Sequence, residues 1–305
     1  MTFNPHNLDE SGKVVLDGIY NRDDPRAYFS TLGPLDYSIP HVAKPVFEQV
    51  MAAYRRLSGK RHLKIIDIGC SYGINAALLK HDLEMADLYR LYDKPGSPAV
   101  RRKELVARDR AQFADNDGDR LLEMVGIDQA EKAVGYALEA GILDEGLAAD
   151  LESGCLTENE QETLSGADLV ISTGCVGYVG TSTFKEILGA DTEARPWMAN
   201  FVLRMFSFEP LRALFEAHGY VTEKTKGRVF RQRRFACVQE REEVLAKLAQ
   251  RGIDVSGREE DGWLYAEFYL SRPAEAARRM PLSDITARLA AARQATAPEP
   301  GSVRL

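Results

Sequence analysis

Cysteine is scarce in this chain: 4 of 305 residues, at Cys70, Cys155, Cys175 and Cys237. No two share metal-ligand spacing, and the density is too low for a disulfide framework. A His-x-x-Glu-x-x-His pattern is missing as well, so no metal site is expected. No apolar run is long enough to span a bilayer. Positive charge is in deficit: 39 Lys and Arg stand against 46 Asp and Glu, for a net charge of −7. That balance disfavours a nucleic-acid partner held by phosphate contacts. Residues Met1–Glu10 lack the basic-then-apolar layout of a signal peptide. A reduced, cytoplasmic protein is the expectation. Internal repeats are absent too. What remains is ordinary globular material, with 45% hydrophobic residues, enough for a real core.

The most informative stretch runs from Lys64 to Leu79. Lys64-Ile65-Ile66-Asp67-Ile68 reads as a buried strand. Gly69-Cys70-Ser71-Tyr72-Gly73 reads as a tight turn, and Ile74-Asn75-Ala76-Ala77-Leu78-Leu79 opens a helix. Glycines let the backbone approach a ligand closely, and N–H groups at a helix start suit a nucleotide-like one. The spacing is not the dinucleotide fingerprint G-x-G-x-x-G, because Ser71 stands where the middle glycine would be.

Further strand ends follow. Leu121–Asp128 reads as a second strand that ends in an acid able to accept hydrogen bonds from ribose hydroxyls. Ala130, Ala133, Val134, Ala137 and Leu138 mark the helix after it. A short third strand runs into Asp150. Ala167–Thr173 is a fourth, entering a turn with Gly174, Gly177 and Gly180. Trp197–Met205 reads as a fifth, and a helix from Pro210 ends at Gly219. Residues 221–238 and 263–270 alternate like paired strands around a helix at Glu240–Arg251. The basic cluster Lys224, Lys226, Arg228, Arg231, Arg233 and Arg234 is read as a solvated strand face.

The Asp-x-Gly-x-x-x-Gly turn of Asp67, Gly69 and Gly73 resembles motif I of class I S-adenosylmethionine-dependent methyltransferases. Gly126-Ile127-Asp128 resembles that family's second motif, and the segment through Gly174 its fourth. The likeness spans roughly residues 60–272. It implies a Rossmann-like α/β fold, with a seven-stranded, mostly parallel sheet and helices on both faces. It also implies S-adenosylmethionine (SAM) as cofactor. The cofactor would meet Asp67, Gly69, Cys70, Ser71, Tyr72, Gly73 and Asn75 on the first turn. Asp128 and Gln129 would lie at the ribose, Asp150 and Leu151 at the adenine, and Gly174 and Cys175 at the fourth strand end.

Three regions depart from that plan. Residues 1–43 are aromatic and proline-rich and are read as an N-terminal lid or arm on a domain of residues 44–293. Residues 80–120 interrupt the expected rhythm and are read as an insertion, part helix and part loop, adding a wall to the site or an oligomer contact. Residues 294–305 read as a mobile tail. Tyr178, Tyr28 and Ser207 are the candidates for catalysis, the tyrosines because an aromatic face can stabilise the sulfonium and Ser207 because it follows the fifth strand at the same carboxyl edge. Tyr20, Tyr37 and Arg204 are the candidates for substrate contact. Among the histidines only His41 is placed to be weighed as a base.

The expected activity is methyl transfer to a small molecule in a biosynthetic role. One alternative is intramolecular cyclisation of SAM with release of 5′-methylthioadenosine, as in azetidine-2-carboxylate synthases. Another is a non-catalytic SAM-binding regulator. The expected partners are a small molecule, no nucleic acid and no membrane, with a homodimer compatible.

Overall fold

The computed structural model describes residues 7–92, 100–114, 118–191 and 193–287. In chain order the helices are α1 (Asp17–Tyr20), α2 (Arg26–Leu32), α3 (Ile39–Ser58), α4 (Ile74–Leu79), α5 (Met85–Tyr92) and α6 (Arg102–Ala114). They continue with α7 (Glu131–Glu139), α8 (Glu158–Leu164), α9 (Thr181–Ala190), α10 (Glu209–Ala217), α11 (Val238–Gln250) and α12 (Ala274–Arg279). The strands are β1 (Leu63–Ile68), β2 (Leu122–Asp128), β3 (Glu145–Ala148) and β4 (Leu169–Thr173), then β5 (Trp197–Leu203), β6 (Tyr220–Lys224), β7 (Phe230–Arg234) and β8 (Trp263–Pro273).

The eight strands of the described residues share one sheet, in the order β3-β2-β1-β4-β5-β8-β6, with β7 also on β8. The first five strands pair in parallel, while β8 runs antiparallel to β5, β6 and β7. The fold is therefore the Rossmann-like fold of class I methyltransferases. The expected strand number of seven becomes eight because β8 is 11 residues long. One end of it pairs with β7 at Trp263–Ala266, the other with β6 at Tyr269–Pro273.

Alternation along the strands builds two cores. In β1, Leu63 and Ile65 face one core, with Val46, Phe47 and Val50 of α3 and Ala133 and Ala137 of α7. Ile66 and Ile68 face the other, with Phe184 of α9 and Leu211 and Phe215 of α10. A sheet buried on both faces explains why its central strands read as unbroken apolar runs. The order reverses between β1 and β4, so a crevice opens at their carboxyl ends.

Where described, the insertion is part helix, as α5 and α6, and part loop, and it packs into the first core. Its Tyr92 stacks on Phe29 at 4.9 Å between ring centroids. The hydroxyls of Tyr92 and Tyr136 both donate to the buried Asp109 carboxylate. The insertion thus braces the N-terminal segment. Residues 282–287 form a further helical segment, and the expected tail lies outside the described residues. No described helix is long and apolar enough to cross a membrane.

Candidate functional site

A cavity of about 770 Å³ opens at the crevice. One wall is the turn after β1. Gly69 and Gly73 have φ of +70° and +74°. A Cβ on Gly69 would come within 2.8 Å of the Cys175 Cβ, so a side chain there would jam the turn against the β4 end. Gly69, Cys70, Ser71 and Asn75 line the cavity. Asp67 does not line it. It is fully buried beneath the turn, where its Oδ1 accepts from Asn75 Nδ2 at 2.9 Å. The same Asn75 Nδ2 donates to Thr173 Oγ1 at 3.2 Å, tying β1 to β4. Burial pushes the Asp67 carboxyl up to about 7, with the Asn75 hydrogen bond opposing and the Asp128 charge adding to it.

Asp128 lines the cavity at the β2 end and organises the turn. Its Oδ2 accepts from the Ser71 N–H and its Oδ1 from the Ala130 N–H, both at 2.9 Å. Burial holds its carboxyl above the usual range, although both backbone hydrogen bonds pull it down. Gln129, Asp150, Leu151, Gly174 and Cys175 line the cavity with it. Asp150 accepts from Ser153 Oγ at 2.7 Å, which holds its carboxyl below the usual range. Two polar atoms at or under this wall, Ser71 Oγ and Asp67 Oδ2, are buried with no hydrogen-bond partner among the described residues.

The facing wall comes from the N-terminal segment. Tyr20, Tyr28 and Tyr37 all line the cavity. Tyr28 is buried and meets Tyr20 and Tyr37 edge-on, at 5.8 Å and 6.0 Å between centroids. Tyr72, expected on the cofactor, instead anchors this segment. Its hydroxyl accepts from the Arg22 N–H at 3.0 Å and lies 3.1 Å from the Arg22 carbonyl. Gly73 is likewise set back from the cavity and caps α4 against Ile142.

Tyr178 lines the cavity mouth, half exposed, and its hydroxyl donates to Asp9 Oδ2 at 2.6 Å. Two other expectations are corrected. Arg204 is buried away from the cavity, with Nη1 2.6 Å from Glu259 Oε2 and Nη2 on the Asp254 carbonyl. Ser207 is exposed and accepts from the Glu209 N–H at the start of α10. Both lie beyond β5, where the chain turns away from the crevice toward α10. His41 is exposed on α3 and does not line the cavity.

The sequence reading missed a further set of residues: Asp9, Lys13, Glu152, Gln232 and Arg233 also line the cavity. The basic strand face is solvated only in part. Arg231 and Arg234 are exposed, but Arg233 is 2% exposed and forms a two-pronged pair with Glu240, at 2.8 and 2.6 Å. A register shift between Arg231 and Arg233 turns Gln232 and Arg233 both inward. Alternation alone could not reveal that, because a bulge breaks the period. Glu152 Oε1 accepts from the N–H groups of Gly180 and Thr183, capping α9 from a distant loop. Among the described residues no cluster of His, Cys, Asp and Glu could hold a metal.

No protein-family model matches this chain, and no curated protein matches it. Solved structures do. The plantazolicin methyltransferase BpumL, in complex with SAH (S-adenosylhomocysteine), is 10% identical, covering 84% of this chain and 90% of that one, at a TM-score of 0.41. Magnesium protoporphyrin IX methyltransferase ChlM from Synechocystis PCC 6803, with bound SAM, is 13% identical over 75% of this chain and 79% of that one, at 0.36. The YcgJ protein from Bacillus subtilis is 9% identical over 74% and 98%, at 0.39. Similarity at this level transfers no activity to this chain.

Proposed function

We propose that this chain is a SAM-dependent methyltransferase acting on a small molecule, by in-line transfer from the sulfonium. One observation carries the reading. The strand order brings the Asp-x-Gly-x-x-x-Gly turn and the acid ending β2 side by side on one cavity, joined by the Ser71–Asp128 hydrogen bond. The residues fit the cofactor. Ser71 Oγ is an unused polar atom on the cavity wall. The burial-raised acids Asp67 and Asp128 suit a ligand that carries positive charge. Asp128 would hold the ribose, the Gly69–Ser71 backbone the methionyl end, and Asp150 the adenine amino group. When bound, the cofactor supplies the electrophilic methyl group. The chain's part is to hold it in line with an acceptor and to exclude water. Tyr20, Tyr28 and Tyr37 close the cavity from the N-terminal side, as a lid would.

That tyrosine wall also favours a second reading. A SAM molecule folded against aromatic faces is placed for its own amino group to displace 5′-methylthioadenosine. Calorimetry with SAH tests the binding, and chromatography of SAM incubated with the enzyme tests the reaction. Methyl transfer predicts SAH only in the presence of an acceptor. Steady 5′-methylthioadenosine from SAM alone, with a four-membered amino acid beside it, would establish the cyclase instead. A protein that binds neither SAM nor SAH overturns both.

A further inference from the structure

One buried charge at the cavity is left without a task. Lys13 is 7% exposed and lines the cavity, with Nζ 4.6 Å from the centre of the Tyr178 ring. Among the described residues, no oxygen accepts a hydrogen bond from that Nζ, and no carboxylate forms an ion pair with it. An ammonium has three donors and no acceptor, so burying it unpaired is costly. The ring face recovers part of the cost by cation–π attraction.

The nearby carboxylates are occupied. Asp9 accepts from Ser11 Oγ at 2.6 Å, from the Lys13 N–H at 3.1 Å and from the Tyr178 hydroxyl. Glu240 accepts from the Val14 N–H at 2.9 Å, the Ala236 N–H at 2.8 Å and both prongs of Arg233. Burial and the Arg233 charge push the Lys13 amine down to about 8, with Asp9, Glu240 and Cys175 opposing. At neutral pH it is therefore still mostly a cation.

The lysine is also fixed in place. Residues 8–14 form a tight hairpin with a Leu8–Val14 bridge. At its tip Gly12, with φ +76°, sits against α11, where a Cβ would come within 2.8 Å of the Glu243 Cβ. Lys247 Nζ donates to the Glu10 carbonyl from the same helix. A pinned hairpin therefore presents an unpaired cation to a ligand cavity that Asp128 and Asp150 also line.

We infer that Lys13 forms a carboxylate-binding subsite at this end of the cavity. It takes the carboxylate of the bound ligand by a charge-assisted hydrogen bond. Two sources supply that chemistry: the methionyl carboxylate of the cofactor or a carboxylate on the acceptor. The subsite deepens the SAM reading, and its test separates the two.

Lys13→Met keeps most of the stem and removes the charge, Lys13→Arg keeps a charge, and Lys13→Gln replaces Met should that protein not fold. The first probes are SAH and its decarboxylated analogue, followed by calorimetry. The second are benzoate and its neutral counterpart benzamide, followed by saturation-transfer NMR on the protein with and without SAH. If the cofactor's carboxylate is the ligand, Lys13→Met weakens SAH at least tenfold and leaves the decarboxylated analogue unchanged. If the acceptor supplies it, SAH affinity stays within twofold. Benzoate, but not benzamide, then binds the wild type and Lys13→Arg and is lost in Lys13→Met. A wild type that fails to bind SAH sinks the cofactor reading alone, since benzoate on the free protein still decides the subsite. SAH affinity unchanged in Lys13→Met, with benzoate binding equal in both proteins or absent from both, overturns the inference.

Discussion

The two walls of the cavity are built in opposite ways. The wall after β1 is local: Gly69, Cys70, Ser71 and Asn75 are near neighbours in the chain, and one strand-turn-helix unit sets them. The wall around Lys13 is assembled from the chain's extremes. Val14 is bonded to a carboxylate 226 residues away, and Tyr178 to one 169 residues away. The local wall needs only backbone preference and a buried strand. The remote wall leans on a buried ion pair, Arg233 with Glu240, and such pairs are sensitive to losing one partner.

The sharpest way to break that contrast is Glu240→Ala. It strips Arg233 of its partner and Val14 and Ala236 of their acceptor, leaving a buried cation uncompensated. The expected loss is about 3–5 kcal/mol in denaturant unfolding. If the protein keeps its stability, the remote wall does not depend on this pair.

Asp67→Asn probes the local wall through pH. The folded protein holds the Asp67 proton to about 7, against an ordinary aspartate value of 3.8. Between those values the folded state binds more protons than the unfolded one, so stability from this group is full below 3.8 and falls as pH rises through 7. The amide cannot ionise. In the ligand-free protein the variant should gain on the wild type by about 2–4 kcal/mol between pH 4 and pH 8. A gap that does not change with pH would mean that Asp67 is already ionised at acid pH.

Asp128→Ala removes the acceptor that joins the two strand ends. SAM binding should weaken tenfold or more, from losing charge-assisted hydrogen bonds on the order of 1.5–3 kcal/mol. Unchanged affinity in a folded variant would take Asp128 out of the site.

The smallest effect is expected from Tyr178→Phe. The ring stays beside Lys13 and only the Asp9 hydrogen bond is lost, so stability should change by less than about 1.5 kcal/mol. A rate close to wild type would assign any role of Tyr178 to its ring face. A large loss of rate would assign it to the hydroxyl.

Deleting residues 1–40, natural for a detachable lid, is ruled out as a clean test by the packing. Phe29, Leu32 and Ile39 are fully buried in the main core, so the segment is part of the domain's interior as well as a roof. The sequence could not show this, because residues 7–43 lack any long period. Their aromatic residues pack both on one another and on the inserted α5.

What the sequence determined by itself was the local chemistry. An apolar run, an acid and two glycines four apart force a buried strand into a tight turn whatever surrounds them. The acid at the end of β2 was legible for the same reason, as was the succession of the first five strands along the chain. Tertiary structure alone decided which residues complete the cavity. It moved Tyr72 from the cofactor to the N-terminal anchor and buried Arg204 against Glu259. Through a bulge it turned Gln232 and Arg233 inward, and it brought Lys13 over the β4 turn. These placements rest on contacts between residues far apart in the chain, and no local period or spacing records them.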